Sequence, residues 1–286
     1  MSGVAASSVE LLGAADIREL AAKLGVVPTK KLGQNFVTDP NTIRRIVAAA
    51  KLDGTETVVE IGPGLGSLTL GLLEVAERVI AVEVDSKLAS ELEATVAKRA
   101  PGKHFVLVES DALRVTELPA EPQALVANLP YNISVPVLLH FLETFGSLRF
   151  GLVLVQAEVA HRLAAGPGNK VYGIPSVKLA WYADAALAGN IGRNVFWPAP
   201  NVDSALVYFA KREVELGSEA ERLATFEAID AGFAQRRKTL RQALAEWAGS
   251  AARAEEILIA AKVSPQARAE ELTVHDFLRI AQAKNV

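Results

Sequence analysis

The feature that most constrains this chain is an alternation, between residues 57 and 155, of short apolar runs with longer amphipathic stretches. The runs are rich in Val, Ile and Leu, which is typical of strands buried on both faces, and the stretches have helical spacing. Strands that alternate with helices predict an α/β, Rossmann-like fold with a mostly parallel sheet. The predicted strands are 57–61, 78–82, 104–108, 124–127 and 150–155, and the predicted helices are 67–74, 86–99, 136–145 and 157–165.

The sequence on either side of this alternation predicts further elements. Apolar residues at helical spacing predict helices over 7–24 and 38–52, ahead of the first strand. Two later strands, near 181–187 and 204–211, have no clear helix between them. We expect them to add an antiparallel pair at the edge of the sheet.

After residue 211 only helical patterns remain, so we place a domain boundary there. The expected organisation is an N-terminal helical extension (1–27), a main α/β domain (28–211) and a small all-helical domain (212–286). The predicted helices of the last domain are 220–232, 237–248, 253–261 and 273–284.

The composition excludes several classes of protein. Half of the 286 residues are hydrophobic, so the chain can bury a sizeable core, and no apolar run of membrane-spanning length is present. Cysteine is absent, which excludes disulfides and thiolate chemistry. The first 24 residues lack the pattern of a secretory signal. We therefore expect a cytoplasmic protein without membrane contact, and a monomer.

The charge of the chain does not by itself indicate a nucleic-acid partner. The net charge is −3, and the segment from Lys211 to the end has twelve basic and twelve acidic residues. Proteins that bind nucleic acid usually have a positive binding face. If RNA is the partner, local basic patches must contact it.

A glycine-rich turn follows the first predicted strand, in the sequence EIGPGLG at residues 60–66. Gly62 and Gly64 permit a left-handed backbone and let the main chain approach a ligand closely. Such turns bind nucleotide cofactors, including dinucleotides, and some are only tight turns. The turn alone therefore predicts a nucleotide-type ligand without identifying it.

Two acidic residues follow the next two strands. Glu83 lies 21 residues after Gly62, close to the spacing at which a carboxylate accepts hydrogen bonds from a ribose. Asp111 follows the third strand, where it could accept from the amino group of a cofactor's adenine or cap the next helix. Because ligands in open α/β sheets bind at the carboxyl ends of strands, these residues predict one cofactor site.

The fourth predicted strand runs into the motif Asn128-Leu129-Pro130-Tyr131. The Asn128 side-chain oxygen and the Leu129 carbonyl oxygen can both accept from one amino group. Those bonds would turn the lone pair of a poorly nucleophilic adenine nitrogen toward a methyl donor, while Tyr131 offers a stacking face. Positioning and electrostatics then suffice, and we expect neither a metal ion nor a covalent intermediate.

Four motifs, in this order, resemble the ribosomal RNA adenine dimethyltransferase family of the bacterial KsgA/RsmA type. The resemblance covers about residues 30–249 and implies a class I methyltransferase sheet with S-adenosylmethionine as cofactor. It also implies dimethylation of N6 on two adjacent adenosines near the 3′ end of 16S rRNA in the small ribosomal subunit. The motifs are KLGQNF (31–36), EIGPGLG (60–66), NLPYN (128–132) and FWPAPNVDS (196–204).

The resemblance also implies roles for individual residues. It places the target base between Tyr131 and Phe196, a pair of aromatic faces that would replace the stacking lost by a base taken out of its strand. Phe196 as an ordinary core residue is the alternative. The residues that the resemblance assigns to the cofactor are Asn35, Val37, Gly62, Glu83, Asp111 and Asn128.

A basic run in the helical domain predicts RNA contact. Arg236, Arg237, Lys238 and Arg241 lie within six positions and are predicted to open a helix, where they could contact phosphates. Lys30 and Lys31 form a second small patch. An ordinary solvated surface is the alternative for both patches. The four histidines lack metal-ligand spacing, so we expect no metal site.

Two other functions remain open from the sequence. One is a large-subunit (23S) rRNA adenine methyltransferase of the macrolide-resistance type, which shares the fold and an Asn-x-Pro-Tyr motif. The other is a ribosome-assembly factor that has kept the fold and lost its chemistry. The intact Glu83, Asp111 and Asn128 argue against the second.

Overall fold

The computed structural model describes residues 8–25, 35–130 and 132–284 of the chain. Its contacts divide it into two compact units. The first contains the described residues up to Ala160 together with Leu187–Ala210, and the second contains His161–Ala186 and the described residues from Lys211 onward. Residues 161–186 thus group with the C-terminal helices.

The first unit is built on a sheet of seven strands. The strands are β2 (Thr57–Ile61), β3 (Arg78–Glu83), β4 (His104–Glu109), β5 (Ala124–Asn128), β6 (Phe150–Gln156), β7 (Ala183–Ile191) and β9 (Ser204–Lys211). Their spatial order is β4-β3-β2-β5-β6-β9-β7. The pairs β3–β4, β2–β3, β2–β5 and β5–β6 are parallel, and β9 is antiparallel to β6. The α/β prediction is confirmed.

Helices connect the parallel strands, and short polar side chains begin two of them. Asp39 accepts hydrogen bonds from the backbone of Asn41 and Thr42, and Asp85 accepts from Lys87 and Leu88. Asp85 thereby starts a helix just beyond the carboxyl end of β3. The helices are α2 (Pro40–Ala49), α3 (Ser67–Val75), α4 (Ser86–Arg99), α5 (Ser134–Thr144) and α6 (Ala157–Leu163).

The strands are buried as their composition predicts. Val58, Val79, Val126 and Val153 have 0% exposure, whereas the edge strand β4 is only half-buried. Burial of such apolar side chains is the dominant stabilising contribution in a sheet covered by helices on both faces.

A two-stranded sheet, which the sequence did not predict, joins two distant motifs. Strand β1 (Phe36–Val37) pairs antiparallel with β8 (Phe196–Trp197), and the Phe36 and Trp197 rings stack with centroids 6.5 Å apart. Thr38 extends this contact, because its backbone N donates to the Val195 carbonyl at 2.8 Å. Elements as short as two residues have no periodicity that a sequence pattern could reveal.

The N-terminal helix α1 (Ala14–Leu24) packs into the core of the first unit, but it is shorter than the helix predicted over 7–24, because the described residues 8–13 are not helical. Ile17 has 0% exposure, Lys23 forms an ion pair with Glu91 of α4 at 2.7 Å, and Asp16 accepts from Arg99 at 2.6 Å. The helix therefore docks along α4.

The second unit is helical. In it α8 packs against α12, and Tyr172 donates through its hydroxyl to the Leu272 carbonyl at 2.7 Å. Within the described ranges, every helix of the protein is too short or too polar to span a bilayer. The helices of this unit are α7 (Ile174–Tyr182), α8 (Glu219–Ala234), α9 (Leu240–Ala243), α10 (Ala245–Ala248), α11 (Ala251–Ala260) and α12 (Val274–Lys284).

Two further predicted elements differ clearly from the observed ones. The strand placed near 181–187 starts at Ala183, because Trp181 and Tyr182 end helix α7. The helix expected over 237–248 is two short helices, α9 and α10, that meet at Leu244. The basic run therefore does not open a helix over 236–238. Those residues form the turn after α8.

Candidate cofactor and active site

A cavity of about 410 Å³ lies at the carboxyl ends of the parallel strands. It is in the size range of pockets that bind small molecules and cofactors. The chain winds outward from β2 to β4 and then returns to β5, so the cavity lies at the switch point where open α/β sheets bind ligands. Nine of the predicted site residues line it, namely Asn35, Val37, Gly62, Gly64, Glu83, Asp111, Asn128, Leu129 and Pro130.

The glycine turn forms one wall of this cavity. Gly62 and Gly64 have φ angles of +65° and +59°, in the left-handed region that glycine tolerates. A Cβ on Gly64 would lie 2.7 Å from the Phe36 ring. The absence of a side chain there lets the turn and strand β1 close around the cavity.

Glu83 ends β3 with its carboxylate held by the main chain. Oε2 accepts from the Gly64 backbone N at 3.2 Å, and Oε1 accepts from Val84 and Asp85 at 2.9 and 3.0 Å. Burial raises the pKa of Glu83, and these three backbone hydrogen bonds oppose the rise. The carboxylate thus joins the glycine turn to the start of α4 at the cavity wall.

Asp111 lies at the cavity rim and caps a short 3-10 helix, as the alternative reading of the sequence allowed. Its Oδ1 accepts from the Leu113 backbone N at 3.0 Å, and Oδ2 lies 3.8 Å from the Arg114 Nε. The Asp111 side chain is 45% exposed, so the cap leaves acceptor capacity for a ligand.

Asn128 occupies the carboxyl end of β5, beside β6. Its side-chain Nδ2 donates to the Asn35 carbonyl at 3.0 Å, while the next residue, Leu129, donates through its backbone N to the Leu154 carbonyl at 3.1 Å. Because Nδ2 is engaged, Oδ1 is the atom of the amide that remains as an acceptor. Pro130 follows and packs against Gly62, whose Cβ position would be 3.7 Å from its ring.

Other predicted residues are placed apart from the cavity or outside the described ranges. The Phe196 ring is 4% exposed, belongs to the hydrophobic core and is not part of the cavity lining. Its stacking role remains a prediction. Tyr131, Lys30 and Lys31 lie outside the described residues.

The basic residues of the helical unit separate into two kinds. Arg236 pairs with Glu270 at 2.8 Å and donates to the Lys170 carbonyl, and Arg241 pairs with Glu255 at 2.7 Å. Arg237 and Lys238 are exposed. Two of the four therefore stabilise the unit, and the other two present their charge to solvent.

The cavity is acidic, and one of its acids was not recognised in the sequence. Glu60, the first residue of the EIGPGLG sequence, lies on β2 and is 1% exposed, and burial raises its pKa to about 8. An acid within an otherwise apolar strand was the available signal. The lining among the described residues has four carboxyl groups, on Glu60, Glu83, Asp85 and Asp111, and no Lys, Arg or His.

The charge and burial of the cavity lining indicate which nucleotide-type ligand fits. Four carboxyl groups in a lining that has no Lys, Arg or His among the described residues disfavour the pyrophosphate of a dinucleotide and suit a cofactor with a positive charge. The Glu60 Oε2 atom, buried without a hydrogen-bond partner among the described residues, also fits a cationic ligand. Within the described ranges no group of His, Asp and Glu side chains is arranged to hold a metal ion.

An open sheet with an acidic cavity at its switch point and an Asn-Leu-Pro motif beside it defines a class of protein. This is an S-adenosylmethionine-dependent methyltransferase with the Rossmann-like class I fold. Gly62, Gly64, Glu83 and Asp111 line the cavity and could hold the cofactor.

Comparisons with known proteins give the family. The sequence matches the family described as ribosomal RNA adenine dimethylase over residues 28–285. It is 64% identical over 277 residues to ribosomal RNA small subunit methyltransferase A of Streptomyces coelicolor, covering 96% of this chain and 97% of that protein. A protein of the same name from Arthrobacter is 62% identical over 276 residues, covering 96% and 93%. This chain belongs to the ribosomal RNA adenine dimethylase family.

Solved structures agree with this fold. A dimethyladenosine transferase from Plasmodium falciparum superposes with a TM-score of 0.73 at 23% identity, covering 86% of this chain and 95% of that one. The 23S rRNA methyltransferase ErmE superposes with a TM-score of 0.65 at 26% identity, covering 88% and 100%. The first comparison supports the fold alone.

Proposed function

We propose that this enzyme dimethylates N6 of two adjacent adenosines near the 3′ end of 16S rRNA, within the small ribosomal subunit. We propose that it acts as a monomer in the cytoplasm. The observation that carries the proposal is the Asn128 amide, fixed by the Asn35 carbonyl at the mouth of the cofactor cavity. The names of the relatives that are more than 60% identical support the choice of the small subunit.

The chain's residues contribute positioning and electrostatics to the reaction. The bound cofactor supplies an electrophilic methyl group on its sulfonium. The Asn128 Oδ1 atom accepts one N–H of the target amine, and the Leu129 carbonyl accepts the other. These bonds orient the nitrogen lone pair toward the cofactor cavity and withdraw the amine from conjugation with the ring.

The target base needs a stacking surface once it leaves its strand. We assign this role to Tyr131, which follows Pro130 at the cavity mouth, and to Phe196 as its opposite face. Because Phe196 is 4% exposed, this arrangement requires the segment around β8 to uncover one face of the ring when the base enters.

We assign the contacts with RNA beyond the target base to basic residues. Arg237 and Lys238 are exposed in the turn after α8 and are suited to phosphate contacts. Lys30 and Lys31 are proposed to form a second basic patch. Arg236 and Arg241 can contact phosphate only if they leave their acidic partners, Glu270 and Glu255. On this basis 28–211 is the methyltransferase domain and 212–286 is an RNA-binding domain, to which 161–186 adds by its contacts.

A second candidate is methylation of 23S rRNA, because ErmE shares the fold at 26% identity. The two functions differ in substrate form and in product. Purified protein with labelled cofactor should be offered small subunits that lack the modification and, separately, protein-free 23S rRNA. Dimethyladenosine in a digest of the small-subunit RNA supports the proposal, and labelling of 23S rRNA alone contradicts it.

A non-catalytic assembly factor is tested in the same assay. Binding to small subunits without any labelled adenosine, from protein that binds S-adenosylmethionine, would support that alternative. Asn128→Ala then serves as the control, since it removes the proposed amine acceptor without removing RNA contacts.

A further inference from the structure

Glu60 is a buried acid that the proposed reaction does not use. It lies on β2, two residues before Gly62, and it lines the cofactor cavity with 1% exposure. Its Oε2 atom has no hydrogen-bond partner among the described residues. A buried carboxylate without a partner is costly, so the group is either neutral or completed by something that enters the cavity.

Two hydroxyl groups beside Glu60 share this condition. Ser67 and Thr69 lie in the first turn of α3, and their side-chain oxygens are also buried without a partner in the described part of the chain. Thr69 favours the ionised form of Glu60 without reaching the geometry of a hydrogen bond. Glu60 and Ser67 both line the cavity, and incomplete polar atoms there indicate a site that is completed by a ligand or by water.

The charged groups around Glu60 are all acidic. Burial is the largest cause of the rise in the pKa of Glu60 to about 8, and the nearby carboxyl group of Glu83 at the end of β3 adds to it. Asp85 and Asp111 line the same cavity, where α2, α3 and β5 contribute Ile46, the Ser67 hydroxyl and Asn128. No basic side chain among the described lining residues offsets this charge.

We propose that Glu60 couples cofactor binding to proton release: it is protonated in the free protein and loses its proton to solvent when a cationic cofactor binds. The positive charge of S-adenosylmethionine supplies the electrostatic partner that Glu60 does not have among the described lining residues. No bond other than the carboxyl O–H breaks, and the proton passes to the buffer. The inference rests on the proposed function only through its cofactor.

The coupling makes the cavity distinguish the methyl donor from the product that remains after methyl transfer. Methyl transfer turns the sulfonium into a neutral thioether, S-adenosylhomocysteine, so the product lacks one positive charge beside the acidic cavity. The ionised form of Glu60 is then less favoured, and the carboxyl regains its proton. Glu60 thereby makes the cavity prefer the methyl donor over the demethylated product, which assists exchange between the two methylations of one adenosine.

Calorimetric titration tests this coupling without RNA. S-adenosylmethionine is titrated into the full-length protein at pH 7 in buffers of different ionisation enthalpy, which gives the number of protons released. We expect a value approaching one proton per cofactor, and a smaller value for S-adenosylhomocysteine. Between pH 6 and pH 7 the affinity for S-adenosylmethionine should rise by up to about tenfold and then level above pH 8.

Two variants assign the proton to its residue. Glu60→Gln keeps the shape of the side chain, and we expect it to lose most of the proton release and of the pH dependence. Glu56→Gln is the matched control, because Glu56 is equally buried but holds the backbone of Asp53 and Gly54, away from the cavity. It should behave as the wild type. Thermal unfolding of both variants verifies that they are folded.

Two results would overturn the inference. One is cofactor binding by the wild type without proton release at pH 7. The other is unchanged release in folded Glu60→Gln, which would assign the proton to Glu83 or another group. If proton release is found but no ribosomal RNA is methylated, the proposed function fails while the coupling stands.

Discussion

The Asn128 side chain donates to the carbonyl of Asn35 at 3.0 Å, across a sequence separation of 93 residues. This bond joins the end of β5 to the segment that leads into β1 and fixes which atom of the amide faces outward. A donor nitrogen so engaged leaves Oδ1 as the acceptor for the target amine. The proposed chemistry therefore depends on a main-chain carbonyl from a distant motif.

Replacing Asn128 tests this relationship. Asn128→Ala removes the amine acceptor, and we expect kcat to fall by about 10² to 10³, as when one preorganised hydrogen-bond partner of a transition state is lost. The affinity for S-adenosylmethionine should change much less. Single-turnover methylation and equilibrium cofactor binding separate the two effects. Asn190→Ala, an exposed asparagine on β7, is the control and should leave both unchanged.

Gly64 is predicted to be essential to the shape of the cavity. Gly64→Ala places a methyl group 2.7 Å from the Phe36 ring at a φ of +59°, so either the ring or the turn must move. We expect at least a tenfold loss of cofactor affinity. Gly102→Ala has a similar φ of +78° with nothing within 4 Å, so it should cost only about 1 kcal/mol of stability. Equal cofactor affinity in both variants would contradict the prediction.

The basic run is predicted to contain two functions. The double variant Arg237→Ala, Lys238→Ala should weaken binding to small subunits without changing stability. The slope of the logarithm of the binding constant against the logarithm of the salt concentration should become shallower by about one to two. Arg236→Ala should instead lower the unfolding free energy by about 1 kcal/mol, because its ion pair with Glu270 is lost. Salt-dependent binding and urea denaturation measure the two effects. A stability loss in the double variant would argue against free charges there.

The buried Glu60 also predicts a pH dependence of stability. The pKa of Glu60 is about 8 in the folded protein against 4.5 as its ordinary value, so the folded state binds more protons between those limits. Stability therefore falls as pH rises through that window, by roughly 1.4 kcal/mol per pH unit from this group. Glu60→Gln removes the effect. In urea denaturation without cofactor, the unfolding free energy of Glu60→Gln should rise relative to that of the wild type from pH 5 to pH 8. A difference in unfolding free energy that stays constant over this range would contradict the assignment.

Helix α1 is predicted to stabilise the fold rather than to bind RNA. Ile17 has 0% exposure in the core, and Ile17→Ala should cost about 2–5 kcal/mol of unfolding free energy. The exposed neighbour Arg18 provides the control, since Arg18→Ala should cost well under 1 kcal/mol. Cofactor affinity measured well below the melting temperature should be the same in both. A stable Ile17→Ala protein that fails to bind small subunits would reverse the interpretation.

Much of the first unit could be predicted because its strands and helices have strong local patterns. The predicted helix over 86–99 has the observed bounds, and the five parallel strands differ from prediction by at most one residue at an end. Buried strands have to be apolar along their whole length, and their helices must bury one face. These requirements are written in neighbouring residues, so they can be read without the tertiary structure.

The second unit was harder to predict for physical reasons. Helix α7 was not predicted, because its sequence is mostly apolar, with Val177, Leu179 and Trp181 buried, and its end continues directly into β7. A short, mostly apolar segment does not distinguish a buried helix from a strand. The turn at 236–238 was missed because basic residues are compatible with a helix, and the contacts of Arg236 with Glu270 and Lys170 are formed only in the tertiary structure.

The sequence by itself determined the α/β class, the positions of the glycine turn and of Glu83, Asp111 and Asn128, and the family resemblance. Each of these depends on local order along the chain, because strand ends, turns and spacings are properties of adjacent residues. Only the tertiary structure decided that Asn35 orients Asn128, that Phe196 is buried and that the Glu60 Oε2 atom has no hydrogen-bond partner among the described residues. Those are properties of residues brought together by packing from distant positions, and the energy of a buried polar group depends on its neighbours.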